Sequence, residues 1–236
     1  MKPKATFNWS SGKDSALALY KIIKENQFEI TSLLTSINKD FQRISMHGVH
    51  VSLLEMQAAS LGFPLMKMEI PKEPSMEEYQ EIMSKTMSEI QSQGVTHSIF
   101  GDIFLEDLRK YRENQLQSIG MKAVFPLWKQ NTADLIHEFL DLGFKTIVTC
   151  VNETYLDKSF AGRIIDKDFI NDLPENVDPC GENGEFHTFT FDGPIFKNPI
   201  AFVIGETVMK TYPNPKSSEN DENGEYIFWF CDLIEK

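Results

Sequence analysis

Apolar positions in the first two-thirds of the chain alternate between short extended runs and stripes of helical period. Residues 5–9 read as a strand. Ala16, Leu17, Leu19, Tyr20, Ile22 and Ile23 then share one wide helical face that gives way to polar residues 24–27. A strand at 29–35, a helix at 52–61 stopped by Gly62 and a strand at 65–70 follow. The clearest helix spans 77–93, where Tyr79, Ile82, Met83, Thr86, Met87 and Ile90 recur at i, i+3, i+4 spacing and Gly94 ends the run. The cycle repeats as strand 95–100, helix 105–119 before Gly120, strand 121–125, helix 132–142 before Gly143, and strand 145–151. Such alternation predicts an α/β fold with a mainly parallel, doubly wound sheet covered on both faces.

Beyond about residue 152 the pattern changes to short extended segments, Gly/Pro turns and acidic loops. Residues 186–191, 199–204 and 225–233 read as strands, 166–173 as a brief helix, and 214–224 as a polar hairpin or loop tip. A smaller, β-rich second unit is expected. The division is placed at 1–130 and 131–236, with the first sheet allowed to run on to 151.

Composition narrows the class. The chain has 236 residues, 41% hydrophobic and 25% charged, within the range of ordinary globular proteins. At this length roughly 70–75% of the unfolded surface can be buried, so a core needs no disulfide or metal staple. No apolar run approaches the ~20 residues of a membrane span, and the N-terminus turns polar too soon for a secretory signal. A cytoplasmic protein without a membrane partner is expected. The net charge of −12 is unevenly spread: residues 1–128 hold 14 basic and 15 acidic side chains, residues 129–236 hold 9 and 20. An acidic surface repels phosphate backbones, which disfavours nucleic acid as a partner. Cys150, Cys180 and Cys231 are odd in number and widely spaced, and read as reduced core residues.

The first strand runs into Ser10-Ser11-Gly12-Lys13-Asp14-Ser15 and straight on into the first helix. Ligands of open α/β sheets bind at the carboxyl ends of strands, and a helix N-terminus there offers free N–H groups and a positive dipole end. Small residues let backbone approach a phosphate, Lys13 adds a point charge, and Ser10 and Ser15 add hydroxyl donors. Asp14 beside bound phosphates requires a cation between them, which points to Mg²⁺. Spacing alone also allows a Ser/Gly turn capped by Ser11 or Asp14. The Walker A pattern is absent. The hexapeptide resembles the Ser-Gly-Gly-x-Asp-Ser loop of the PP-loop ATP pyrophosphatases, with Ser11 in place of a Gly. The adenine nucleotide alpha hydrolase-like fold of that superfamily is the expected one.

That resemblance implies adenine and ribose near the end of the second strand, at Leu34, Thr35 and Ser36, and places the segment 43–49 with His47 near the nucleotide. His47 and His50 also have metal-ligand character but lack a third partner. Gly101 and Asp102 end the fourth strand on the same sheet edge as the phosphate loop, so Asp102, with Glu106 and Arg109 further on, can face the same cleft; a helix N-terminal Asp stabilised by the dipole is an equal reading. In the acidic half, residues 178–188 interleave Gly181, Asn183 and Gly184 with Glu182 and Glu185 and lead into a strand on which Glu185 and His187 share a face. An acidic Gly-rich hairpin remains an equal reading of that spacing.

Taken together, residues 10–15, the run Gly-Asp-Ile-Phe-Leu-Glu-Asp-Leu at 101–108, Pro126-Leu127-Trp128 and Gly-Glu-Asn-Gly-Glu-Phe-His-Thr at 181–188 resemble the diphthine–ammonia ligase family, in its bacterial-type form. Diphthamide-making members carry Glu-Gly-Gly-Glu-Phe/Tyr-Glu-Thr in the last segment, from which Asn183 and His187 depart. The resemblance implies an AMP- and pyrophosphate-forming ligase that adenylates a substrate carboxylate and transfers ammonia to it. Ser10, Ser11, Gly12, Lys13, Asp14, Ser15, Leu34, Thr35, Ser36, His47 and Gly101 are then expected to bind ATP, and Asp14 and Asp102 to hold Mg²⁺. Lys13, Asp14, Asp102, Glu182, Glu185 and His187 are expected to carry the chemistry. The partners are ATP, ammonia and a carboxylate on a small molecule or a modified protein side chain, with a homodimer left open. Three alternatives stand beside this: the same chemistry on another carboxylate such as a cobalamin-related metabolite, a tRNA-modifying PP-loop enzyme, and a non-catalytic ATP-binding protein.

Overall fold

The computed structural model describes residues 1–45, 47–213 and 225–236; the polar segment read at 214–224 lies outside them. Five parallel strands form the first sheet: β1 (Lys4–Asn8), β2 (Glu29–Asn38), β4 (Leu65–Ile70), β5 (His97–Ile99) and β6 (Lys122–Val124). β2, β1, β5 and β6 lie side by side, and β4 pairs with β2 along Leu33–Asn38. A two-residue strand, β3 (Arg43–Ile44), pairs antiparallel with Ile37 and Asn38. These partners carry β2 past residue 35, where the apolar pattern fades.

The connecting helices are α1 (Lys13–Glu25), α2 (Val51–Leu61), α3 (Met76–Ser92) and α4 (Glu106–Ser118). α3 is set by a reciprocal cap, in which the Ser75 hydroxyl accepts from the Glu78 N–H at 3.1 Å and the Glu78 carboxylate accepts from the Ser75 N–H at 2.9 Å. Adjacent β2 residues separate into different cores. Leu33 belongs to the cluster of Phe7 of β1, Leu17 and Leu19 of α1 and Leu54 of α2, whereas Leu34 belongs to that of Met87 and Ile90 of α3 and Leu116 of α4. The sheet is therefore wound on both faces, as the alternation of elements requires.

The second sheet is antiparallel, in the order β8 (Phe186–Asp192), β7 (Lys145–Asn152), β10 (Glu225–Glu235), β9 (Phe202–Pro213). This corrects the expectation that the first sheet runs on to residue 151. β7 does not join β6; Thr146 pairs with Thr190 of β8 and Cys150 with Phe230 of β10. Residues 146–152 are all buried, and a strand covered on both faces has the same apolar signature in either kind of sheet. Helix α5 (Thr132–Asp141) precedes β7, and α6 (Lys167–Asp172) lies between β7 and β8.

The two sheets share one core, since Phe7 and Leu19 belong to the same cluster as Phe139, Val148, Phe169 and Phe189. β9 runs well past the expected 199–204; its exposed further length, in which apolar and polar residues are mixed, is recruited by pairing with β10. Among the described residues no helix is long and apolar enough to cross a membrane.

Candidate active site

The turn between β1 and α1 is held from two sides. Ser11 is fully buried with a φ of 72°, the left-handed conformation that costs a non-glycine residue roughly 1–2 kcal/mol. Its carbonyl oxygen accepts from the Thr190 N–H of β8 at 2.9 Å and from Nε2 of Gln57 of α2 at 3.1 Å. Gln57 also donates to the Thr190 carbonyl at 2.6 Å and accepts from the Trp9 indole at 2.9 Å. One buried carboxamide thus ties β1, the turn and β8 together. The Ser11 hydroxyl is buried without a hydrogen-bond partner among the described residues. Ser10 donates to the Ser15 hydroxyl at 3.1 Å, and Ser15 to the Gly12 carbonyl at 2.9 Å. α1 opens on Gly12, so neither Ser11 nor Asp14 caps it.

Lys13 is almost entirely buried. Its ammonium reaches both carboxylate oxygens of Asp14, at 2.8 and 2.7 Å, and the carbonyl oxygen of Cys180. Burial opposes its charge, yet the carboxylates of Asp14 and Glu182 hold its pKa above the ordinary lysine value. The Lys13 N–H donates to the Thr188 hydroxyl at 3.0 Å. A Cβ on Gly12 would lie 3.1 Å from that hydroxyl and 3.2 Å from the His47 ring, a close approach that favours glycine.

Gly101 brings the end of β5 onto the same turn: a Cβ there would lie 3.1 Å from the Ser15 nitrogen and 3.2 Å from the Asp14 carbonyl carbon. Asp102 follows, 2.8 Å from Arg112 of α4. Its Oδ2 is buried and, despite that ion-pair contact, lacks a well-directed hydrogen bond. Burial raises the Asp102 pKa although Arg112 works the other way. Glu182 accepts from the Ile103 N–H at 2.8 Å. Burial, with Asp14 and Asp102 nearby, pushes the Glu182 carboxyl up to about 7.

The residues that read ambiguously in the sequence separate in space. Glu185 is buried and turned into its own loop: its carboxylate accepts from the Asp178 and Asn183 N–H groups at 3.0 and 2.9 Å and from the Asn183 amide at 3.0 Å. His187 instead packs against His47, ring centroids 4.7 Å apart with the planes tilted by 30°, and His47 Nδ1 lies 3.2 Å from the Thr188 carbonyl oxygen. Burial lowers the pKa of His47 to about 4 and that of His187 to about 3, so both rings are neutral at pH 7.

At the end of β2, Leu34 and Thr35 are buried, and the Thr35 hydroxyl is spent on the Trp9 carbonyl at 2.6 Å; Ser36 stays partly accessible. His50 caps α2, accepting from the Ser52 N–H at 3.2 Å, so it is not paired with His47. Glu106 is exposed and pairs with Lys129, and Arg109 lies 4.5 Å over the Trp128 ring. No three His, Cys, Asp or Glu side chains converge as a metal centre among the described residues.

Two protein-family models account for most of the chain: "Diphthamide synthase N-terminal domain" matches residues 3–123 and "Diphthamide synthase C-terminal domain" residues 131–212. The chain belongs to the diphthamide synthase family. Among individual proteins it is similar to the diphthine–ammonia ligases of Mus musculus, 32% identical over 111 residues, and Homo sapiens, 30% over 111. That of Danio rerio is 32% identical over 114 residues. The matched stretch covers 44% of this chain and 42–44% of each relative, so the chain spans less than half the length of the relatives it matches.

The serine turn, Asp102, Glu182, His47 and His187 come together around Lys13 in this family member. Sequence reading missed Gln57, Thr188 and Arg112 as parts of the site. Thr188 stood within the singled-out 181–188 run. Arg112 lies one turn beyond Arg109 on the same polar helix and was not singled out, and a glutamine on an apolar helix carries no signal of its own.

Proposed function

We propose that this chain is an ATP-dependent, AMP- and pyrophosphate-forming carboxylate–ammonia ligase. The observation that carries the reading is that one turn, at the carboxyl edge of a parallel sheet where a helix begins, holds both the buried Lys13 ammonium and the unpartnered Ser11 hydroxyl. A buried donor without an acceptor is costly unless a ligand supplies one, and phosphate oxygens would do so.

In this reading Ser10, Ser11, Gly12, Lys13 and Ser15 grip the β- and γ-phosphates, Gly101 lets the chain pass close to the turn, and Ser36 and His47 border the nucleoside. A substrate carboxylate oxygen attacks the α-phosphorus, and the bond from that phosphorus to the oxygen bridging the β-phosphorus breaks. Pyrophosphate departs, leaving an acyl-adenylate. Ammonia then attacks the carbonyl carbon, AMP leaves with the C–O bond pair, and the nitrogen loses a proton. Glu182, poised near neutrality, is the group suited to accept that proton. The neutral His47–His187 pair can accept hydrogen bonds from ammonia or orient the acceptor, while Glu185 acts as a positioning residue that fixes the loop carrying Glu182.

Mg²⁺ suits this donor set, since it is commonly held by one or two carboxylates together with substrate phosphates, and the buried Asp102 Oδ2 lacks a directed donor. Asp102 and Asp14 would hold it, and it would neutralise charge on the departing pyrophosphate. Replacement of the motif glutamate by His187 favours a carboxylate other than diphthine as the acceptor, a cobalamin-related one being a candidate. The excess of acid in the second half argues against tRNA.

The test is a screen for products from ATP, Mg²⁺, ammonium and a panel of carboxylic acids. AMP and pyrophosphate appearing with one acid supports the reading. ADP and phosphate would refute the bond assignment, and nucleotide binding without turnover on any acid would favour a non-catalytic role.

A further inference from the structure

We propose that the outer edge of β9 is a self-pairing surface through which two copies of the chain form a two-fold dimer. β9 is the terminal strand of the second sheet, and among the described residues only β10 pairs with it. It is twelve residues long, twice an ordinary strand, with Val208, Met209 and Tyr212 40%, 52% and 45% exposed. An edge of this length and apolarity is a template for another strand, and natural proteins blunt such edges with like charges, prolines or cover.

Here the charges are opposite and symmetrically placed. Glu206 and Lys210 flank Val208 at two residues on either side, and all three line one cleft of about 420 Å³ beside Arg43, Phe230 and Asp232, so they project from the same face of the strand. An antiparallel pairing of two β9 strands centred on Val208 sets Val208 against its own copy and Thr207 against Met209. It also sets each Glu206 opposite the other copy's Lys210, so two ion pairs form across the two-fold axis. Among the described residues neither side chain has an ion-pair partner in its own copy; Lys210 only lies 5.0 Å over the Phe230 ring. An isologous contact must be self-complementary, and these charges meet that condition in one register. A register shifted by one residue would move the charges to opposite faces. The surface is independent of the nucleotide chemistry.

Sedimentation velocity with the full chain tests this. The wild type is expected to dimerise at micromolar concentration. Glu206→Lys and Lys210→Glu each set like charges opposite one another twice, and each should raise the dimer dissociation constant by about tenfold. An equimolar mixture of these two variants restores both ion pairs and should dimerise like the wild type, as should the double swap Glu206→Lys/Lys210→Glu. A monomeric wild type, single variants that dimerise unchanged, or a mixture that stays monomeric would each overturn the proposal.

Discussion

Nε2 of Gln57 lies 3.1 Å from the carbonyl oxygen of Ser11, a bond across 46 residues that holds a serine in a backbone conformation suited to glycine. The same side chain satisfies the Trp9 indole and the Thr190 carbonyl, so it works as a single buried pin. Gln57→Ala would leave the Trp9 indole and the Thr190 carbonyl without this partner, while the Ser11 carbonyl keeps the Thr190 N–H, and a loss of about 2–4 kcal/mol of stability is expected in chemical denaturation. Ser11→Gly should act in the opposite direction, raising stability by about 1 kcal/mol by relieving the left-handed strain. On the proposed function, it should also weaken ATP binding modestly through loss of the hydroxyl.

Gly101→Ala tests how tightly the end of β5 is packed on the Ser10–Ser15 turn. The new methyl would press on the backbone at Asp14 and Ser15, which cannot rotate away as a side chain would. A stability loss of about 1–3 kcal/mol is expected, and nucleotide affinity should fall more than for a substitution elsewhere on the sheet edge. Calorimetric titration with ATP alongside denaturation separates the two effects.

Lys13→Met should leave Asp14 and the Cys180 carbonyl without their common cation. On the proposed function it weakens ATP binding by tenfold or more, whereas Asp14→Asn keeps the nucleotide bound and slows pyrophosphate release. Nucleotide binding measured beside product formation distinguishes the two variants.

The titrating groups around the turn give stability components of opposite sign with pH. Glu182 is raised from 4.5 to about 7, so the folded state holds the extra proton in that interval and this component is lost as pH rises from 4.5 to 7. His187 is lowered from 6.5 to about 3, so its component is full above 6.5 and is lost as pH falls toward 3. Thermal melts should therefore show Glu182→Gln gaining on the wild type as pH rises from 4.5 to 7. His187→Asn should gain on it as pH falls below 6.5. Parallel melting curves across that range would contradict both assignments.

Much of the candidate site's placement was readable in the chain because its signals are local. A run of small and charged residues between a strand and a helix lies at the strand's carboxyl end wherever that strand sits, and Gly101 with Asp102 shares that edge through the parallel topology alone. β7 shows where such reasoning stops: its buried residues 146–152 fit a parallel or an antiparallel neighbour equally, and only the contacts with β8 and β10 decide which. Glu185 and His187 posed the same difficulty. Both were placed on one strand face, yet one carboxylate closes its own loop while the imidazole packs against His47 from 140 residues earlier.

The sequence by itself determined the order of strands and helices, the two-faced first sheet and the position of the Ser10–Ser15 turn, because these follow from apolar period and from the geometry of single residues. Tertiary structure alone decided that Gln57 and Thr188 grip that turn, that Arg112 is the partner of Asp102, and that Glu182 titrates near neutrality. Those properties depend on distances between segments far apart in the chain and on exclusion of water, and neither quantity is encoded in any local pattern of residues.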